Sequence, residues 1–268
     1  MSGTFSYLLD GSRWAWGVTG SFPERIVEHL GYTFLGLAIA FVIAFPIGLL
    51  IGHTGRFAFL AINAGNAGRS LPTLGLLSIV VVISGIGLLP VVIGLVVLAI
   101  PPILTTTYAA VQAVDRATID AARGMGMTES KILFGVELPI GLPLILGGIR
   151  NATLQVVSTA TVAAYVGLGG LGRYLIDGIA TRDYPQVVAG SLLVGLLAIV
   201  LDLILAGFQR LVVSPGVDGR AVKGRGRRTS RPGDSPTSTP DDTSPDGTTP
   251  DDTVPTAPSV TPAPTHER

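Results

Sequence analysis

Apolar residues run along this chain in long blocks separated by short polar breaks. Stretches free or nearly free of charge fall at about 31–52, 70–84, 88–108, 138–167 and 186–209. A helix that crosses the hydrocarbon core of a bilayer needs roughly 20 apolar residues. Residues 70–114 contain no Asp, Glu, Lys or Arg, a run long enough for two such crossings. The pattern predicts an all-α integral membrane protein with about five spanning helices. Because the second stretch is short, a start near Phe57, or an extra half-buried helix over 57–68, leaves a count of six open.

Glycine and proline mark where these helices should end or bend. Ser84-Gly85-Ile86-Gly87 with Pro90 reads as a tight turn, which makes the second and third spans a hairpin. Pro46, Pro101, Pro102 and Pro143 lie in or at the ends of spans, where kinks or helix ends are expected. Residues 1–28 carry Asp10, Arg13, Glu24, Arg25 and Glu28 and lack the basic-then-apolar order of a secretory signal. This segment is expected outside the membrane, with the first span acting as its own insertion signal.

Lys and Arg concentrate on the cytoplasmic side of membrane helices. With five spans and the N-terminus outside, eleven of those as far as Arg228 fall inside, among them Arg56, Arg69, Arg116, Arg123, Lys131 and Arg210. Four remain outside: Arg13, Arg25, Arg173 and Arg182. The bias also puts the long loop 115–137 in the cytoplasm.

Composition agrees: 48% of the 268 residues are hydrophobic and only 13% charged, too apolar for an ordinary soluble domain. From about residue 214 the chain turns to Pro, Thr, Ser, Asp and Gly, with a basic cluster at 220–231 and an acidic stretch at 234–252. So little apolar surface predicts a disordered cytoplasmic tail over 214–268. Its basic cluster reads as an anchor for the last span, with anionic lipid headgroups as the alternative partner. A net charge of zero gives no field that would favour nucleic acid. The absence of cysteine excludes disulfides and thiolate ligands, and His29, His53 and His266 are too scattered to form a metal signature.

The cytoplasmic loop carries the most specific pattern. Residues 118–125 and 128–136 read as two short helical pieces broken at Gly126, where the chain can bend sharply. Ala121 and Ala122 offer a small surface that another protein could approach closely. Thr128 suits the N-cap of the second piece, and Leu138-Pro139 is expected to end it and return the chain to the membrane. Asp120, Ala121, Ala122, Gly126, Val136, Leu138 and Pro139 resemble the conserved loop of ABC importer permeases: Glu-Ala-Ala, three residues, Gly, nine residues, Ile, one residue, Leu-Pro. The spacing agrees throughout, with Asp120 standing for Glu and Val136 for Ile.

The resemblance extends over roughly 29–210 to the type I ABC importer permease fold. Within that fold it is nearest the branch that imports glycine betaine, choline, carnitine and related osmoprotectants. His29-Leu30, the run 45–52 and the glycine-rich run 160–172 carry this second likeness. The family implies that the loop is a coupling helix docked on a separate ATP-binding subunit, where ATP and Mg would be bound. It further implies a separate extracytoplasmic solute-binding protein, a second permease chain (identical or a paralogue), and a place in a bacterial plasma membrane. Methionine, another amino acid or an alkanesulfonate remain alternative cargoes.

No phosphate-binding Gly-Lys-Ser/Thr occurs, since Lys131 follows Ser130 and Lys223 follows Val222. The expectation is therefore a transport subunit without catalysis or cofactor of its own. A membrane-embedded enzyme would need an interior His, Ser and acid, yet His29 and His53 fall at opposite ends of the first span. In the fourth span Asn151, Gln155, Ser158, Thr159 and Val162 share one helical face. That face either lines a path for a small polar solute or packs against another helix. Arg150 is expected to snorkel toward the interface, and Asp202 is deep enough to need a partner.

Overall fold

The computed structural model describes residues 2–70 and 72–213, so the expected tail and its basic cluster lie outside the described residues. Every regular element among the described residues is helical. Helix α1 (Ser2–Leu9) leads into a single 3-10 turn, Gly11–Trp14, capped by the Asp10 carboxylate, which accepts from the Ser12 N–H at 3.1 Å. Helix α2 (Phe22–Thr54) begins well before the apolar stretch at 31. Pro23 sits in its first turn, where its missing N–H costs nothing. Glu24, Arg25 and Glu28 end the apolar stretch without ending the helix, because charge marks a membrane boundary and not a helix terminus. Its 33 residues extend roughly 50 Å, well beyond a hydrocarbon core of about 30 Å.

The second expected span resolves into two helices, α3 (Ala58–Ser70) and α4 (Thr73–Ser84), with Pro72 at the α4 N-cap. The extra helix left open by the sequence is therefore present. At 12 residues, or roughly 18 Å, α4 is too short to cross a bilayer alone. Both pack along α5 (Leu88–Gln112), and α4 joins it through Gly85 (φ +83°) and Gly87 (φ +154°), the expected hairpin. Pro101 and Pro102 lie inside α5 without ending it.

Next come α6 (Arg116–Gly124), α7 (Glu129–Ile132) and α8 (Leu138–Ala160). Here one expectation is corrected: Leu138-Pro139 does not end a helix. A single π turn over Leu133–Glu137 joins α7 to α8, and the Leu138 N–H donates five residues back to the Leu133 carbonyl. A proline ring clashes with the carbonyl four residues before it, and the wider π register relieves that crowding while the helix continues. A 3-10 segment, Thr161–Val166, extends α8, and α9 (Gly172–Thr181) and α10 (Tyr184–Val212) complete the described chain. Among the described residues four helices are long and apolar enough to cross a membrane: α2, α5, the rod containing α8, and α10. Large apolar side chains stay exposed along them, such as Val42, Leu196 and Leu203, as a lipid-facing surface requires.

Helix α5 is central, packed by α2, α8, α3 and α4. On α2 the buried residues Gly36, Ala40, Ala44, Gly48 and Gly52 recur every four positions and form one stripe against α5. A Cβ on Gly48 would lie 2.8 Å from Thr107 Cβ, and one on Gly52 would lie 2.7 Å from Val111 Cβ. Such small-residue seams let backbones approach closely where lipid removes any hydrophobic drive for helices to associate. At the far end the glycine-rich run closes on α2: Glu28 accepts from Gly170 N–H at 2.7 Å and from Arg25 at 2.9 Å.

Candidate functional site

The loop between α5 and α8 is built by local rules. Asp115 caps α6, its carboxylate accepting from the Ala117 N–H at 3.0 Å. Gly126, at φ +80°, ends it: the Met127 N–H reaches the Ala122 carbonyl and the Gly126 N–H reaches the Arg123 carbonyl. This is the Schellman arrangement, which requires a left-handed residue that glycine adopts without strain. The sharp bend expected at Gly126 is thus a helix stop. Thr128 takes the extended N-cap conformation ahead of α7, but its side chain makes no capping bond.

The residues singled out by the loop pattern divide into three groups. Asp120, Ala121, Gly126 and Pro139 are exposed, while Val136 and Leu138 are half-buried. Ala122 is buried, at 3% exposure, so only Ala121 of the alanine pair faces outward, and Ala122 holds α6 to its own chain. Met125 and Phe134, which the pattern does not contain, add apolar surface at 76% and 60% exposure.

An ion network ties this loop to the bundle. Arg123 donates in a fork to Glu129, at 2.9 and 3.1 Å, and lies 3.5 Å from Asp120. The hydrogen bonds from Arg123 hold the Glu129 carboxyl below its ordinary range. A depressed carboxylate favours the docked loop above its unfolded pKa and releases it only as pH falls through the folded value. This contact therefore persists across neutral pH. His53, near the end of α2, has Nε2 at 3.2 Å from Glu129 and Nδ1 at 2.6 Å from Glu137, whose side chain is 3% exposed. Gln112 at the end of α5 donates to the Gly52 carbonyl at 2.8 Å. Beside α6 a polar cavity of about 280 Å³ opens to the surface, lined in part by His53, Gln112, Arg116, Asp120 and Glu137. Sequence reasoning gave His53 no role beyond marking one end of a span.

On α8 Asn151 and Ser158 turn away from the core, while Thr159 lies beside it. Ala152, Thr153, Val156, Val157 and Ala160 are buried against the bundle, whereas Asn151 and Ser158 are exposed and Gln155 and Thr159 half-buried. Ser158 donates to the Leu154 carbonyl at 3.0 Å, and Thr159 and Val162 border a narrow cleft with Leu77, Val91 and Leu95. Asn151, Gln155, Ser158 and Thr159 are thus exposed or half-buried on α8 in the single chain, whereas Val162 falls in the 3-10 segment beyond it and packs against the core.

Arg150 does not snorkel. Its Nε and Nη2 both bond the carboxylate of Asp202 on α10, which supplies the partner that Asp202 needed. Two charges isolated in otherwise apolar helices were the signal that could have paired them, since a forked pair removes the cost of either charge alone.

Residues 27–214 match the family described as binding-protein-dependent transport system inner membrane component. The glycine betaine/carnitine/choline transport system permease protein OpuCB of Bacillus subtilis is 30% identical over 75% of this chain and 92% of its own length. The osmoprotectant import permease protein OsmW of Salmonella typhimurium is 32% identical over 80% of this chain and 99% of its own. Among solved structures, the MetNI methionine ABC transporter in an inward-facing conformation matches 71% of this chain and 95% of its own. Its TM-score is 0.62 at 26% identity.

Proposed function

The chain belongs to the family of binding-protein-dependent transport system inner membrane components, and from this we propose that it is the permease of an ATP-driven importer of quaternary-amine osmoprotectants. As a member it is a multi-pass plasma-membrane transport subunit with the type I ABC importer permease fold. The observation that carries the cargo is the agreement among relatives. OpuCB and OsmW, covered almost end to end, are named for glycine betaine, carnitine, choline or osmoprotectants. The methionine transporter supports a second cargo, but at lower identity than these relatives.

In this reading the loop 120–139 is the docking element for a separate ATP-binding subunit. Asp120, Ala121, Gly126 and Pro139 lie at the contact, Ala122 fixes α6 from behind, and Val136 and Leu138 set the entry into α8. ATP and Mg are bound on that partner, and ATP is hydrolysed there. Docking there moves rigid helices between two packings, the general means by which a small local shift becomes a change of access. The N-terminus is extracytoplasmic, where a solute-binding protein delivers cargo, and the C-terminal tail is cytoplasmic. A second permease chain covers the open polar face of α8. Between the two chains Asn151, Gln155, Ser158 and Thr159 offer hydrogen bonds to a small solute that water would otherwise satisfy.

The test is uptake by proteoliposomes holding this chain with the ATP-binding subunit and solute-binding protein of its own system. ATP-dependent accumulation of radiolabelled glycine betaine, choline or carnitine, without accumulation of methionine, is the expected result. Methionine uptake alone would overturn the cargo. For the path, replacing Gln155 and Thr159 by leucine should lower uptake at equal expression, and unchanged uptake would remove them from it.

A further inference from the structure

The docking loop is covalently continuous with α5 and α8, which flank it, but not with α2. Yet α2 has the most extensive contact with α5 and runs from the glycine-rich closure at one end to the docking loop at the other. Whatever moves the loop must therefore reach α2 through noncovalent contacts.

We infer that His53 is a positioning residue that couples the docking loop to α2, an inference that rests on reading the loop as the contact with an ATP-binding subunit. Three observations carry it. First, His53 is the second-to-last residue of α2 and is 12% exposed, so it is held within the structure and not free in solvent. Second, each ring nitrogen faces a carboxylate from a different piece of the loop. Nε2 faces Glu129 in the first turn of α7, and Nδ1 faces Glu137 at the foot of α8. The two carboxylates thus bracket the ring from opposite pieces of the loop, Glu137 at 2.6 Å and Glu129 at 3.2 Å. Third, Glu129 passes the link outward to Arg123 on α6, the element that carries Asp120 and Ala121. The path α6–Arg123–Glu129–His53–α2 is continuous at hydrogen-bond distances, and the Gln112 bond to Gly52 holds the last turn of α2 to α5. A displacement of α6 by the motor is then shared by α2 and α8, and the two move together.

The experiment uses the full complex with its ATP-binding subunit in proteoliposomes, with glycine-betaine-loaded solute-binding protein outside. It reads two quantities: recovery of the ATP-binding subunit with the permease, and the factor by which the binding protein stimulates ATP hydrolysis. His53→Ala should leave recovery unchanged and cut the stimulation roughly fivefold or more, the lower end of typical coupling between sites. His53→Lys, whose ammonium carries several donors for the two carboxylates, should restore most of it. Wild-type stimulation in His53→Ala overturns the inference, and so does loss of the ATP-binding subunit, because His53 would then serve docking itself. Should His53→Ala fail to accumulate, His53→Gln is read in the same way, since it keeps a polar side chain at the end of α2 that can meet only one of the two carboxylates. A wild-type complex that never retains the ATP-binding subunit would instead refute the docking reading of the loop.

Discussion

Replacing Gly48 by alanine tests whether α2 and α5 are held by backbone proximity. The new Cβ would sit 2.8 Å from Thr107 Cβ and 3.0 Å from the Leu104 carbonyl oxygen. Carbon atoms pack best at about 3.5–4.0 Å, so the contact is short by roughly 0.7 Å. Thr107 is fully buried and Leu104 O is backbone, so neither can swing aside and the helices must part. Overpacking of this kind costs about 1–3 kcal/mol. Alanine also gains helix propensity over glycine, about 0.8–1.0 kcal/mol, which would mask part of the loss. Gly195→Ala provides the correction: Gly195 lies inside α10 with nothing within 4 Å of an added Cβ, so it takes the propensity gain alone. Equilibrium unfolding in mixed micelles should place Gly48→Ala below Gly195→Ala by about 1–3 kcal/mol. A difference within about 0.5 kcal/mol, the scatter between independent sites, would refute the seam.

Gly126→Ala forces a Cβ into the left-handed region at φ +80° and should loosen the stop of α6 by about 1–2 kcal/mol. Faster hydrogen exchange at the Met127 amide, with α8 unaffected, is the check. Arg150→Met alone leaves Asp202 uncompensated among apolar helices and should lower folded yield, while Arg150→Met with Asp202→Leu should recover it. Equal yields for the single and double variants in detergent extracts would mean the pair carries no such penalty.

The spans bounded by turns were legible because lack of charge and helix-breaking residues coincide there. The stretch 88–108 became Leu88–Gln112, 186–209 became Tyr184–Val212, and the Ser84 turn is a hairpin. Where the two signals part, the reading slipped. Glu24 to Glu28 end an apolar run but not α2, and Pro139 ends nothing because a π turn absorbs it. In the loop, spacing located Asp120, Ala121 and Gly126 but could not tell that Ala122 turns inward, which depends on packing. The contacts of His53 with Glu137 and of Arg150 with Asp202 join residues 84 and 52 positions apart, and only the tertiary fold brings them together. The Gly36-Ala40-Ala44-Gly48-Gly52 stripe was available in the sequence, since its four-residue period is a helical face.

The central claim, that the exposed surface of α6 receives an ATP-binding subunit, is tested by Ala121→Arg. The substitution adds a long cation at a side chain that is exposed in the single chain. The account predicts that the purified variant unfolds like the wild type but no longer retains the ATP-binding subunit through affinity purification. Retention at wild-type stoichiometry, with binding-protein-stimulated ATP hydrolysis intact, would contradict it.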